Sequence, residues 1–404
     1  MDHRLIAFGW LLLAVAAPGC RRSEEPPASE QLFNLAAMKQ SQPAAEPAWP
    51  LVTNNRSFAF PQDHAAHPDY RIEWWYYTGN LDDAAGNRFG FQLTFFRSGI
   101  RQQPASRSVW ALRDLYTAHF AISDVSQKRH FVFQRNNRRG VGWAGARADR
   151  CEVWNGNWRL ALEGKSHHLI AEDGECALDL TLTPTKPAAL HGDQGLSRKG
   201  ASEGNASYYY SLSRMLASGT LLVGGRKCQV NGTAWMDHEF SSSFLEPGQT
   251  GWDWFAIQLD NGFDLMLYRV RRADGAPEPC SSGSLIAPDG SVTHLSSSDF
   301  KLSSDSPWKS VDTDASYPLR WLIDIPKIGY RLEVTAAFAD QEMVTAATTG
   351  LNYWEGAIDI RGDVDGRPAR GRGYMELTGY GSAAGKNARL PFQSPSKDEA
   401  KDGH

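Results

Sequence analysis

The chain has no excess of basic residues: 42 Lys and Arg stand against 46 Asp and Glu, for a formal net charge of −4. A duplex binder carries a basic footprint, so no nucleic-acid partner is expected. Five cysteines in 404 residues include no C-x-x-C pair, which leaves no structural zinc spacing. The G-x-S-x-G nucleophile elbow, the H-E-x-x-H zinc pair, the P-loop and the Rossmann glycine pattern are all missing. Three S-x-x-K matches begin at Ser298, Ser306 and Ser394, but none opens a helix-like stretch, and they are treated as chance. Neither a metal nor a cofactor is expected. No long stretch repeats every 3.6 residues, which argues against a helix bundle.

What is present is period-two alternation. Phe89, Phe91, Leu93 and Phe95 share one strand face, as do Tyr116, Ala118, Phe120 and Ile122. Leu178, Leu180 and Leu182 alternate with polar residues, and the pattern returns at Leu319–Ile325 and Leu332–Phe338. Turn signals punctuate these runs at 82–87, Asp260-Asn261-Gly262, Asp274-Gly275, Asp289-Gly290 and Asp365-Gly366. The Asp260-Asn261-Gly262 turn predicts a hairpin between Trp252–Leu259 and Phe263–Val270. Fourteen Trp and 37 Gly fit many strands joined by tight turns. The expected class is all-β, with two antiparallel domains divided at the Pro/Gly break near Leu245-Glu246-Pro247-Gly248.

The N-terminus carries Arg4, an apolar run from Leu5 to Ala17, and then Ala17-Pro18-Gly19-Cys20. The run is too short for a membrane span and suits a signal peptide. The segment resembles a bacterial lipoprotein signal, although Ala17 stands where Leu is usual. The resemblance implies that Cys20 is lipidated and that the protein is tethered to the outer membrane, facing the periplasm. Residues 1–20 are then signal peptide, 21–50 a disordered tether with one helix-like stretch at 32–38, 51–246 and 247–385 the two domains, and 386–404 a disordered tail. Cys151, Cys176, Cys228 and Cys280 remain, as free thiols or in one of three pairings.

Four segments concentrate aromatic and acidic residues: Glu73-Trp74-Trp75-Tyr76-Tyr77; Tyr208-Tyr209-Tyr210 with Trp235–Phe240; Trp252-Asp253-Trp254 with Asp264–Arg269; and Tyr353-Trp354-Glu355 with Tyr374–Tyr380. Together they resemble the secreted family related to carotenoid 1,2-hydratases and AttH-type lipoproteins, whose members are often labelled hydrolases. The resemblance implies two packed lipocalin-like β-barrels and an apolar pocket. In the hydratases a His-x-Trp and a Tyr-x-Asp pair line that pocket. They fall on His238 and Phe240, and on Tyr268 and Val270, so two of four positions match.

The missing acid matters because hydrating an alkene needs a carboxylic acid kept protonated by apolar surroundings, with aromatic faces near the cation that forms. Alternation makes Asp264 a substitute, since it shares a face with Met266, Tyr268 and Val270. Glu73, beside two Trp, is either a pocket acid or the partner of Arg71 or Arg97. The candidate catalytic residues are therefore His238, Tyr268, Asp264 and Glu73, with Trp75, Phe240, Trp252, Trp254 and Met266 binding the ligand. On 235–240, Asp237 and Glu239 point away from His238, either outward or into the domain interface. Glu355 and Glu376 are assigned to the fold of the second domain. The expected function is binding of a hydrophobic, terpenoid or lipid-like small molecule, with hydratase- or isomerase-type chemistry. Two alternatives stand beside it: a non-catalytic accessory lipoprotein of an ABC-type exporter, and a secreted hydrolase.

Overall fold

The computed structural model describes residues 48–102, 108, 111–243 and 245–381. The signal peptide, Cys20, the helix-like stretch at 32–38 and the tail from 386 lie outside the described residues.

Thirteen strands form the first sheet: β1 (Ile72–Asp83), β2 (Arg88–Gly99), β3 (Asp114–Asp124), β4 (Arg129–Arg138), β5 (Ala144–Ala146), β6 (Glu152–Asn155), β7 (Trp158–Glu163), β8 (Ser166–Asp173), β9 (Cys176–Pro184), β10 (Ala189–Leu190), β11 (Leu196–Arg198), β12 (Ala206–Val223) and β13 (Arg226–Ser241). They run antiparallel in the order β4, β3, β2, β1, β13, β12, β9, β8, β7, β6, β5, with β10 and β11 added beside β12. The two ends of this path meet where β4 touches β5 and β6, which makes a nearly closed barrel.

The second sheet holds β14 (Gln249–Leu259), β15 (Asp264–Arg272), β16 (Ser282–Ile286), β17 (Val292–Ser296), β18 (Lys301–Lys309), β19 (Ser316–Ile325), β20 (Tyr330–Ala336), β21 (Glu342–Met343), β22 (Tyr353–Val364) and β23 (Arg367–Thr378). Its order is β17, β16, β15, β14, β23, β22, β20, β19, β18, with β21 on β22, and it forms a half-barrel. The all-β, lipocalin-like two-domain architecture is thus the one expected. The four cysteines from Cys151 to Cys280 are free thiols.

Alternation builds each core. Phe89, Phe91, Leu93, Phe120, Ile122, Leu178, Leu180 and Leu182 fill the first barrel. Trp321, Ile323, Ile325, Leu332 and Val334 fill the second. Each such side chain contributes about 1.5–3 kcal/mol on burial. Turn chemistry sets the registers. At Asp260-Asn261-Gly262 the glycine takes φ 88° and the Asn261 side chain accepts the Phe263 amide at 3.1 Å. At the β22–β23 turn, Asp365 and Gly366 both take positive φ, 51° and 75°, as the tight hairpin requires.

Strands β1, β2, β3 and β13 depart from simple alternation because both of their faces are largely buried. Their second face is covered by the half-barrel. Asn80 donates to the Gly373 carbonyl at 3.0 Å, and Gln258 donates to the Ser213 and Ala234 carbonyls at 2.7 and 3.0 Å. Gly90 lies under the Tyr374 hydroxyl, where any Cβ would collide.

Candidate functional site

Strand β13 divides the expected site. Period two sends His238 into the first barrel and turns Asp237 and Glu239 toward the half-barrel.

Inside the first barrel Glu73 is fully buried and saturated with donors. One oxygen accepts His238 Nε2 and His67 Nδ1, both at 2.9 Å, and the other accepts Arg97 Nε at 3.1 Å; the His67 amide reaches both. Arg97 also bonds Asp114 at 3.1 Å, and His67 Nε2 donates to Asp63 at 3.1 Å. Burial pushes the Glu73 carboxyl up, but the His238 and His67 hydrogen bonds and the Arg97 charge outweigh it and hold the group well below the usual range. Burial lowers His67, yet its bonds to Asp63 and Glu73 leave it raised overall. Burial also dominates at His238 and lowers it, so this ring is neutral. Its Nε2–H donates to Glu73, and Nδ1 accepts the Tyr210 hydroxyl at 2.9 Å. Trp75 stacks on His238 at 4.9 Å and Phe240 stacks on His67 at 3.6 Å.

Glu73, Trp75, His238 and Phe240 therefore do come together. Their polar atoms are committed to one another and to the segment carrying Asp63 and His67. Ligand atoms of His67, Glu73 and His238 lie within 4.8 Å of one another, close enough to consider a metal ion. Both imidazoles reach the same Glu73 oxygen at hydrogen-bond distance, the contact that joins this set here.

Tyr268 and Asp264 are not brought to His238. Asp264 is fully buried on the half-barrel and accepts Lys186 Nζ at 2.7 Å, Ser213 Oγ at 2.8 Å and Arg214 at 2.6 and 3.0 Å. That arrangement is an ion-paired latch between the sheets, and it leaves Asp264 no free oxygen with which to replace the acid missing at Val270. Met266 packs in the apolar layer between the sheets.

Tyr268, Trp252 and Trp254 line a cavity of about 160 Å³ between the two sheets. Trp74, Tyr76, Phe96, Tyr209 and Tyr353 complete its aromatic wall, and Lys199, Asp237, Glu239, Glu355 and Glu376 are its charged groups. The lysine is taken: Lys199 Nζ lies 3.0 Å from Glu239 and over the rings of Tyr209 and Tyr268 at 4.8 and 4.4 Å. Asp237 accepts the Ser211 hydroxyl, Trp235 Nε1 at 2.7 Å and the Tyr209 hydroxyl at 2.8 Å. Burial outweighs these donors and pushes its carboxyl up to about 7.

Glu355 and Glu376 face each other across β22 and β23. Glu355 is 1% exposed and makes no hydrogen bond of good geometry among the described residues, although the Tyr76 and Tyr353 hydroxyls are near enough to oppose the rise of its pKa. Burial, reinforced by Glu376, drives it well above the carboxylate range. Burial likewise raises Glu376 to about 8, against a hydrogen bond from Trp252 and with the charges of Asp237 and Glu239 adding to the rise. Burial thus biases both carboxyls toward their protonated forms at neutral pH, with Asp237 raised to about 7 beside them.

On the sequence, Glu355 and Glu376 belong to the fold of the second domain, and Asp237 and Glu239 face outward or into the domain interface. The structure puts all four on the cavity wall. A signal was available: each glutamate lies ten residues from the Asp365-Gly366 turn, which places the pair opposite one another in a two-residue hairpin.

A family model described as AttH-like matches residues 51–380. A solved AttH-type structure from Nitrosomonas europaea is 35% identical, with a TM-score of 0.75 over 82% of this chain and 100% of its own. Kievitone hydratase of Nectria haematococca shares the fold at 15% identity, with a TM-score of 0.62 over 82% of this chain and 95% of its own. In sequence, dehydratase asqC of Emericella nidulans is 24% identical over 221 residues, which is 49% of this chain and 57% of that protein. Kievitone hydratase of Fusarium solani subsp. phaseoli is 22% identical over 212 residues, 51% of this chain and 58% of its own length. The chain thus spans less than two thirds of the curated relatives it matches.

Proposed function

The chain belongs to the AttH-like family, and on that premise we propose that it is a hydratase- or dehydratase-type enzyme acting on an apolar small molecule held between its two sheets. The names of its relatives support a reaction that adds or removes water. The observation that carries the reading is the set of carboxyls in one aromatic cavity: Glu355 and Glu376 protonated at neutral pH, and Asp237 poised near 7. Titratable neighbours whose environments push their acidities apart divide into acid and base.

In the hydration direction the Glu376–Glu355 pair gives a proton to one carbon of a double bond, whose π electrons form the new C–H bond. Positive charge develops on the other carbon, where the faces of Trp252, Trp254 and Tyr268 stabilise it. Water attacks that carbon, and Asp237 accepts the proton that the water releases. Dehydration runs the same steps backward. The sequence assigns this chemistry to His238, Tyr268, Asp264 and Glu73; of those four, only Tyr268 lines the cavity. The same reading has the protein exported and tethered through a lipidated Cys20 to the periplasmic face of the outer membrane, supported by Ala17-Pro18-Gly19-Cys20.

The test is isotopic. The protein is incubated in heavy-oxygen water with an organic extract of its host cells and, separately, with kievitone. A product that gains or loses water, formed by the wild type and lost in Glu376→Gln and Asp237→Asn, is the expected result. A ligand bound without turnover overturns the enzyme and leaves a carrier, such as an accessory to an ABC-type exporter.

A further inference from the structure

Behind Asp237 runs a chain of hydrogen bonds that crosses from one sheet to the other. Ser211, on β12, donates to Asp237. His191 Nε2 is 2.6 Å from Ser211 Oγ, and His191 Nδ1 is 2.9 Å from Ser284 Oγ on β16 of the half-barrel. His191 and Ser211 are fully buried and Ser284 is 1% exposed. The His191 amide is anchored on the Tyr209 carbonyl at 3.1 Å, and its ring packs 4.3 Å from that of Tyr209.

We propose that His191 is a positioning residue for Asp237, a proton relay whose tautomer is tied to the charge of that carboxyl. The inference rests on the base role given to Asp237 above. A neutral imidazole has one N–H and one lone pair, so the chain points one way at a time. With Asp237 ionised, Ser211 donates to Asp237, His191 Nε2–H donates to Ser211, and Ser284 donates to His191 Nδ1. With Asp237 protonated the order reverses: Asp237 donates to Ser211, Ser211 to Nε2, and Nδ1–H to Ser284.

Resetting the base takes the chain from the second state to the first. The Asp237 proton moves to Ser211, the Ser211 proton to Nε2, the Nδ1 proton to Ser284, and the Ser284 proton passes to solvent by way of its exposed cross-strand neighbour His294 on β17. One proton enters at Asp237 and one departs at Ser284, with His191 neutral in both states. In the β16–β17 register the buried Ser284 stands opposite His294, whose side chain is exposed. Burial, with the charges of Lys199 and His294, holds His191 down to about 3, so it carries protons without storing charge. The titratable groups facing Asp237 are Glu239 on its own strand, Tyr209 on β12, Tyr76 on β1 and Glu376 on β23.

The experiment reads the tautomer directly and needs no substrate. Protein with isotope-labelled histidine is titrated through the neutral range while two-bond ring-proton-to-nitrogen NMR follows His191, assigned with His191→Gln. The Asp237 carboxyl carbon is followed in parallel, assigned with Asp237→Asn. The expected result is that His191 passes from Nδ1–H to Nε2–H with rising pH, at the midpoint where Asp237 ionises. In Ser211→Ala the switch is lost, and the Asp237 midpoint moves up because a donor to the carboxylate is gone. A fixed His191 tautomer while Asp237 titrates in the wild type overturns the relay, as does an Asp237 that does not titrate at all. A coupled switch in a protein without water-adding or water-removing activity keeps the relay and discards the hydratase reading, so the two failures are distinguishable.

Discussion

Glu355 on β22 and Glu376 on β23 stand directly opposite each other and share the wall of one cavity, with no cation bound to either among the described residues. Two carboxyls so placed cannot both ionise cheaply, and the pair keeps its protons above the range of a free glutamate.

Replacing either partner separates catalysis from stability. Glu376→Gln is expected to slow turnover by about a hundred- to ten-thousand-fold, the usual worth of a positioned general acid. Stability responds in the opposite sense. A carboxyl whose folded pKa is raised contributes stability that is fully present below its unfolded value, about 4.3, and is lost as pH rises through the folded value, about 8 for Glu376. Glu355→Gln and Glu376→Gln should therefore flatten the loss of stability across that interval, as denaturant unfolding at a series of pH values would show. An unchanged slope in both variants would mean that the pair is not protonated in the native state.

The Glu73 cluster predicts the reverse pattern at the acid end. Glu73 and Asp63 are held low, so their contribution is present above the unfolded carboxylate range and is lost as pH falls through the folded values. His67 is held high, so its contribution is complete below about 6.5 and is lost as pH rises through its folded value. The cluster is most stabilising between about 4.3 and 6.5. Glu73→Ala leaves Arg97 buried with Asp114 as its one carboxylate partner and should cost about 3–5 kcal/mol. His238→Ala removes two buried hydrogen bonds and a stacked ring, for about 2–4 kcal/mol, while ligand binding in the inter-sheet cavity stays unchanged. Weakened binding in a stably folded His238→Ala protein would return the site to the first barrel.

The walls of both barrels were legible because alternation and turn chemistry are local. Phe89 to Phe95 and Trp321 to Ile325 declare their buried faces within a single strand, and Asp260-Asn261-Gly262 declares its hairpin. The aromatic and acidic segments were recognisable as a group, and several of them do meet at the cavity. What was hidden is long-range. Alternation says that His238 and Asp237 face opposite ways, but not which face meets a second sheet. Asp264 looked like a free acid because its partners, Lys186 and Arg214, lie 78 and 50 residues away in sequence. His191 stood in no motif, since its role comes from Ser211 and Ser284 on different sheets.

Attachment through Cys20 is a separate matter of sorting. Cys20→Ser should move the protein from the membrane fraction to the soluble periplasmic fraction without altering its unfolding profile, because both barrels begin well after that residue. Retention in the membrane fraction would rule out Cys20 as the anchor.

The Lys186–Asp264–Arg214 latch ties a loop and a strand of the first sheet to the half-barrel, and its energetics can be isolated. Lys186 is 4% exposed at its side chain and also donates to the Gly262 carbonyl at 2.7 Å. Asp264→Leu strands the buried Lys186 ammonium and removes the carboxylate from the part-exposed Arg214, and should cost about 3–5 kcal/mol, since an uncompensated buried charge is far worse than no charge. Adding Lys186→Met removes one of those cations, and the double variant should recover about half or more of the loss. The comparison is a double-mutant cycle read by denaturant unfolding, with hydrogen exchange at β14 and β15 as a local reporter. Strict additivity of the two substitutions would show that Lys186 and Asp264 are not coupled, and that the sheets are held together by their other contacts, the apolar layer and the Asn80 and Gln258 hydrogen bonds among them.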